Sequence, residues 1–535
     1  MAYADLRELL EKLEAIGELK RVKQEVHWKY EIGAWSYYMC NLDPPGPAVL
    51  FERVTGYDKR YTVVSNVLAS YRRIAVALGL DPDVSKQELI NVYRERLKGR
   101  IKPVLVQTGP VKENVHLGAD INLFEFPVPY WHPRDGGRFI GVWHGVVSKD
   151  PETGKTNMGT YRVQVQGKDK CTIGFLPGQH IGFHFAKKEI AGEPLEVAVV
   201  IGAEETVPLI ACCGIPFGVE EYDVVGSMRR EALPLVKCST VDLEVPATAE
   251  LVIEGRLYTD IEHRMPEGPF GEYLGHHGGG VRMRPIMEVT CIMHRNNPIL
   301  RGALTGKPQM EPGVVGSVQR AAQGLALFDE QGPGGVKAVN NAPEAGGEII
   351  TIIQMTPFYV GHSRQVARTW LSHQNGQHSK MVIVVDADVD PFNLGQVFWA
   401  MGSRTQGSRD FEVWKYCKTS RSDPSVMKSQ GEFTDRVIID ATKKLDYPYE
   451  PFYGGHWAPV AVPPKEMLQL VDLKWRKEQG ETVAEGEINT KSHDLFEIRD
   501  KQWEAYRQEH FVLTEERRKQ EIALSYPRFG KNIFE

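Results

Sequence analysis

One region decides what this chain can become, the stretch between Phe139 and Leu257. Turn residues cut it into short runs rich in β-branched side chains: Phe139 to Val147, Tyr161 to Val165, Leu195 to Ile201 and Leu251 to Leu257. Runs this short, spaced this way, predict a β-barrel or split barrel at the centre of the chain.

The flanks follow a different grammar. Leu6, Leu9, Leu10, Leu13 and Ile16 recur at helical spacing with Gly17 where a C-cap falls, and a second helix is predicted after Val84-Ser85. The segment Phe126-Pro-Val-Pro-Tyr-Trp-His-Pro133 marks the first boundary. Beyond Gly332-Pro-Gly-Gly335 the pattern becomes strand Ile349 to Met355, helix Ser363 to Ser379 and strand Met381 to Val385, a βαβ unit with a parallel sheet. The expected fold class is α/β (α+β): an N-terminal α/β domain over 1–120, a split β-barrel over 121–325, a C-terminal α/β domain over 326–480 and a charged tail over 481–535. Helical spacing from Trp503 to Phe511 makes that tail a docking helix or a solvated one. A length of 535 residues, several times the roughly 100–200 of one domain, accommodates such a division.

Charge and composition exclude several functions. Formal net charge is −6 with both signs interspersed, so no basic field collects nucleic acid or anionic lipid. Asp5, Arg7, Glu8, Glu11 and Lys12 interrupt the opening apolar rhythm, unlike a signal peptide, and no apolar run reaches the roughly 20 residues of a membrane span. Seven cysteines without a CxxC pair suit a reducing cytoplasm, with Cys212 and Cys213 expected as adjacent buried thiols rather than a vicinal disulfide.

Familiar site motifs fail on inspection. Gly302-Ala-Leu-Thr-Gly-Lys-Pro308 is one residue short of a phosphate loop and has proline where a magnesium-binding hydroxyl belongs. His277-Gly278-Gly279-Gly280 resembles an oxyanion loop, but no Gly-x-Ser-x-Gly elbow accompanies it. Asp386, Asp388 and Asp390 alternate like calcium ligands, yet Pro391 replaces the required glycine, so a strand ending in a polar loop is expected. A Rossmann glycine fingerprint is absent from the sequence.

Met265-Pro-Glu-Gly-Pro-Phe-Gly-Glu272 is the sharpest local feature. Carboxylates five residues apart face opposite sides of a strand and diverge on a helix, so only a turn brings Glu267 and Glu272 together. Gly268, Pro269 and Gly271 supply one, which leaves open a paired acid/base site or a surface turn with solvated glutamates.

With these residues in view, the chain resembles the UbiD-type decarboxylases, which use prenylated flavin mononucleotide. The resemblance rests on Gly109 to Asn114, Phe126 to Gly137, Asn157 to Arg162, Gly178-Gln-His180, Val236 to Cys238 through Val245 to Ala247, Pro266 to Glu272 and Val384 to Asp390, in order. It implies a central flavin-binding domain in which Asn157, His180 and Glu221 hold Mn²⁺ or a similar divalent ion against the flavin phosphate, with K⁺ a further candidate. Glu220 adjoins Glu221 as an alternative ligand. Met158, Gly159, Thr160, Arg162 and Gln179 complete the implied cofactor contacts.

The same resemblance implies a catalytic network of Arg162, Glu267 and Glu272, with Glu272 delivering a proton to carbon. The implied reaction is reversible non-oxidative decarboxylation of an aromatic, hydroxybenzoate-like acid. An aromatic acyl-coenzyme A thioester is the alternative substrate, and a non-catalytic flavin-binding protein or a flavin reductase are the other readings. His276 and His277, after Tyr273 and Leu274, would contact a phenol or acyl group or decorate a mobile loop. A flavin prenyltransferase is the implied cofactor supplier, and a homodimer or homohexamer the implied assembly.

Overall fold

The computed structural model describes residues 3–278, 280–418, 422–426, 433–450, 456–463, 465–480 and 519. Residues up to Thr442 form one compact unit and those from Lys443 another. Trp503 and Phe511, and the tail proposed around them, lie outside the described residues, as does Gly279.

The opening helix Leu6–Ala15 starts at Asp5, whose carboxylate accepts the Glu8 amide at 3.0 Å, and buries Leu6, Leu9, Leu10 and Leu13. Ile16 does not join that stripe: it is the C-cap residue and 41% exposed. Ser85 caps the second predicted helix, Lys86–Lys98. Beside these helices lies a four-stranded sheet in the order Leu19–Val22, Ala48–Phe51, Thr62–Ser65 and Ile299–Arg301. Its last strand comes from far along the chain and pairs in parallel with Thr62–Ser65, which fastens the N-terminal segment to the far end of the central domain.

The centre is the curled half-barrel that the β-branched runs predict. Among the described residues ten strands belong to this sheet, along the path Phe139–Gly141, Val163–Val165, Lys170–Ile173, Arg282–His294, Leu251–Leu257, Leu195–Ile201, His144–Lys149 and Thr156–Gly159. Arg282–His294 is its spine and also pairs with Asn114–Leu117 and Arg264–Glu267. The run Phe139 to Val147 divides in two, and the run from Tyr161 shortens to Val163–Val165, although the Arg162 carbonyl still accepts the Gly174 amide at 2.9 Å.

A buried helix, Glu311–Gln331, leads to a five-stranded sheet ordered Val336–Asn341, Ile350–Met355, Met381–Asp386, Phe433–Ala441 and Phe411–Lys418. Ile350–Met355 and Met381–Asp386 run parallel, as the βαβ pattern predicts. The connecting helix spans His362–Ser372 rather than reaching Ser379: His373 takes an extended backbone conformation and its side chain accepts the Asn375 amide, opening a separate turn over Gln374–Gly376. Arg404 Nη1 reaches Asp386 at 2.7 Å and Asp388 at 2.9 Å, so one guanidinium pairs two of the three carboxylates of that acidic loop. Cys212 and Cys213 carry free thiols, but Cys212 is exposed and Cys213 half-buried, contrary to the expected buried pair. Among the described residues no helix is long and apolar enough to cross a membrane.

In the second unit the helix Lys465–Glu478 is described.

Candidate active site

The turn between Glu267 and Glu272 does bring the two carboxylates together, and Arg162 stands between them. Its Nε and Nη2 donate to Glu267 Oε1 and Oε2 at 2.6 and 2.8 Å, and its Nη1 donates to Glu272 Oε1 at 2.8 Å. The Glu267 side chain is fully buried, while those of Arg162 and Glu272 keep 18% and 20% exposure, so the network opens through Glu272 and the guanidinium. Phe270 lies beneath the guanidinium, 5.3 Å from its ring centre to Cζ. A solvated surface turn is thereby ruled out.

Local sequence makes this possible. Glu267 ends the strand Arg264–Glu267, and Gly268 takes φ +82°, a region disfavoured for residues with a Cβ. Phe270–Gly271 then pairs with His277–Gly278, and Glu272 follows at the end of that short ladder. The loop of Asp135, Gly136 and Gly137 packs on this turn. A side chain at Gly136 would collide with the Gly268 carbonyl, and the Gly136 amide donates to Pro269 O at 2.7 Å.

Burial raises the pKa of Glu272; the Arg162 cation opposes that shift, while Glu267 and Asp135 add to it. Burial also works against the Arg162 cation, but the two carboxylates more than offset it and its pKa is raised. The site therefore joins a permanent cation to a carboxyl group whose proton is retained to higher pH than usual.

Sequence reasoning missed three neighbours. Asp135, buried, accepts the Gly271 amide at 3.0 Å, His132 Nδ1 lies 3.1 Å from it and His277 Nε2 3.2 Å. His277, though exposed, is thus anchored through its side chain, whereas His276, also exposed, is held through its backbone, its carbonyl accepting the Glu272 amide at 2.9 Å. Arg284 Nε approaches Glu267 at 3.9 Å as a second guanidinium. The Asp-Gly-Gly sequence signals a turn, but nothing local in it points to Glu272.

The implied metal ligands also converge. Asn157 Oδ1 lies 3.0 Å from His180 Nδ1, and Glu221 Oε1 lies 3.6 Å from the same nitrogen. Asn157 comes from strand Thr156–Gly159, while His180 and Glu221 open the helices His180–Ala191 and Glu221–Arg229. Glu221 Oε2 accepts the Met158 amide at 2.9 Å, while Glu220 turns away to the Thr156 amide at 3.0 Å. An amide oxygen, an imidazole and a single carboxylate meeting at one point fit a divalent ion that stays net positive towards phosphate. Asn157 and His180 also line a cavity of about 180 Å³ with Lys155 and Phe217.

The other implied cofactor contacts divide. Met158 points into the core, leaving its backbone for any contact, and a side chain at Gly159 would collide with the Tyr161 ring. Thr160 Oγ1 donates to His144 O at 2.9 Å, and exposed Gln179 accepts the Leu176 amide at 2.7 Å, shaping the turn that presents His180.

Family models match most of the chain. They are described as the N-terminal, Rift-related and C-terminal domains of 3-octaprenyl-4-hydroxybenzoate carboxy-lyase and cover residues 10–92, 102–308 and 313–441. A phenolic acid decarboxylase of Sedimentibacter hydroxybenzoicus is 37% identical over 461 residues, covering 84% of this chain and 93% of that protein. One from Bacillus subtilis is 33% identical, covering 86% and 95%. Among solved structures, the open form of S. hydroxybenzoicus vanillic acid decarboxylase superposes with TM-score 0.79 at 33% identity over 90% of this chain and 99% of that one. The UbiD-class enzyme HmfF of Pelotomaculum thermopropionicum, in complex with FMN, does so with TM-score 0.77 at 31% identity, covering 88% and 99%.

Proposed function

This chain belongs to the UbiD family and is a carboxy-lyase, and from that premise we propose that it decarboxylates, reversibly and without oxidation, an aromatic hydroxybenzoate-like acid with prenylated flavin mononucleotide and a divalent ion, Mn²⁺ or similar. The observation that carries the reading is Arg162 held between buried Glu267 and part-exposed Glu272. Prenylated flavin, when bound, supplies the electron sink that loss of CO₂ from an unsaturated carbon requires. Asn157, His180 and Glu221 would hold the divalent ion that clamps the flavin phosphate.

The protein's own part is electrostatic and protic. Arg162 pairs the substrate carboxylate in a site that excludes most water, and that hold weakens as the carboxylate becomes neutral CO₂. Glu272 keeps its proton through burial and its acidic neighbours, then gives it to the carbon left behind. Glu267, gripped by two guanidinium nitrogens, fixes the pose of Arg162. Exposed Phe398 and Trp399 on the helix Leu394–Arg404 support assembly into a homodimer or homohexamer, which sedimentation at micromolar concentration tests.

The deciding experiment is anaerobic incubation of holoenzyme, made with a flavin prenyltransferase co-expressed, with a panel of aromatic acids, free and as coenzyme A thioesters. Product masses should report loss of CO₂ from a free hydroxylated benzoate. Turnover of thioesters alone would move the substrate to that class, and full activity with unmodified flavin mononucleotide would overturn the cofactor reading.

A further inference from the structure

Away from Arg162, another set of metal-ligand side chains gathers where the edge strand Asn114–Leu117 meets the spine strand Arg282–His294. His116 stands opposite Ile292 and His294 opposite Asn114, so the two imidazoles share one face of the ladder at diagonal positions. Glu125 closes the group from the turn Leu123–Glu125. One ligand atom from each of the three residues lies within 4.8 Å of the others.

The two nitrogen donors already face each other. His294 Nδ1 faces the Arg295 carbonyl at 2.8 Å, which can only accept, so the ring proton sits there and Nε2 presents a lone pair. His116 Nε2 faces that lone pair at 3.4 Å. Two nitrogens about 2.0–2.1 Å from one tetrahedral zinc stand roughly 3.3–3.4 Å apart, so the pair is spaced as that ion requires. The Tyr61 hydroxyl donates to Glu125 Oε1, and Oε2 lies 3.5 Å from His116 Nδ1, across the ring from Nε2, so the carboxylate joins an ion held on Nε2 by a side-chain movement. His116 Nδ1 is shielded from solvent yet makes no hydrogen bond among the described residues.

We infer that His116, Glu125 and His294 form a zinc site separate from the Asn157, His180 and Glu221 group. Two imidazoles and a carboxylate suit zinc better than the amide-containing set does. Water completes the coordination, since the His116 and Glu125 side chains are 24% and 30% exposed. The ion would fasten the turn before Phe126 to the barrel edge, and that turn leads into the loop carrying Asp135.

Chelator-stripped full-length protein, dialysed against zinc sulfate and assayed by mass spectrometry, should bind one equivalent that His116→Ala lacks. Tyr61→Phe, which removes only the hydrogen bond to Glu125, should weaken that equivalent by about 10–100-fold. Loaded with cobalt(II), the protein should show the strong visible absorption of a four- or five-coordinate ion, lost in His116→Ala and kept in His180→Ala. Equal zinc in His116→Ala and the parent protein, or a cobalt band that disappears with His180 instead, overturns the assignment.

Discussion

Arg162 Nη1 donates to Glu272 Oε1 at 2.8 Å through one nitrogen, while its other two nitrogens grip Glu267. The asymmetry divides the labour between two carboxylates that look alike in sequence. Glu267 is fully buried and doubly bonded; Glu272 is singly bonded, part-exposed and has a raised pKa.

Glu272→Gln preserves size and hydrogen bonding but removes the transferable proton. Flavin and metal content should be unchanged while kcat falls by about 10²–10⁴-fold, the usual contribution of a positioned general acid. Single-turnover kinetics on fully loaded protein check this, and parent-level turnover would move the donor role elsewhere.

Arg162→Ala should fail differently. It strands Glu267, fully buried, with Arg284 Nε 3.9 Å away as the nearest remaining cation. Stability should fall by up to about 3–5 kcal/mol, read from urea unfolding. Surviving folded protein should show both a raised KM and a lowered kcat, because the substrate carboxylate loses its counter-ion before and during reaction.

These contrasts show which parts of the molecule its sequence could reveal. Leu195–Ile201 and Leu251–Leu257 are strands with the limits that their β-branched runs predict; Val197 to Ile201 and Leu251 to Ile253 are apolar without a break because both faces are buried there. The helix Glu311–Gln331 leaves no such trace for a related reason: buried nearly all round and rich in Gly and Ala, it has no polar face to set a helical period. The helix from His362 ends earlier than its apolar spacing suggests, because His373 caps a separate turn at Asn375-Gly376, a stop signal lying inside the predicted span. At the site, the turn Glu267 to Glu272 is legible from its glycines and proline. Asp135, His132 and Arg284 are not, since they reach it from other strands and loops. Asn157, His180 and Glu221, separated by 23 and then 41 residues, become visible through family resemblance alone.

Adjacent glutamates offer a direct test of the ligand assignment. Glu221 faces His180, whereas Glu220 bonds the Thr156 amide. Glu221→Ala should lose bound manganese and, with it, flavin absorbance, by at least about 10-fold in affinity. Glu220→Ala should keep both, as metal analysis and the visible spectrum of purified holoenzyme would show. The reverse result would exchange their roles.

Asp135 gives the site a pH dependence that can be shifted. Glu272 must be protonated to act, so activity should disappear as pH rises through its pKa. Burial raises that pKa first, and the negative charges of Glu267 and Asp135 raise it further against the pull of Arg162. Asp135→Asn removes one of those charges while leaving an oxygen to accept the Gly271 amide. With less repulsion, the ionised form of Glu272 becomes easier to reach, its pKa drops, and the alkaline limb of the kcat profile should move to lower pH. Its acid limb should not move with it, because the proton on Glu272 is the active form there. The measurement is kcat against pH for the loaded variant, with circular dichroism confirming that the hairpin and its surroundings stay folded. A shift of the alkaline limb to higher pH, or none in a variant folded like the parent, would mean that another group sets that limb.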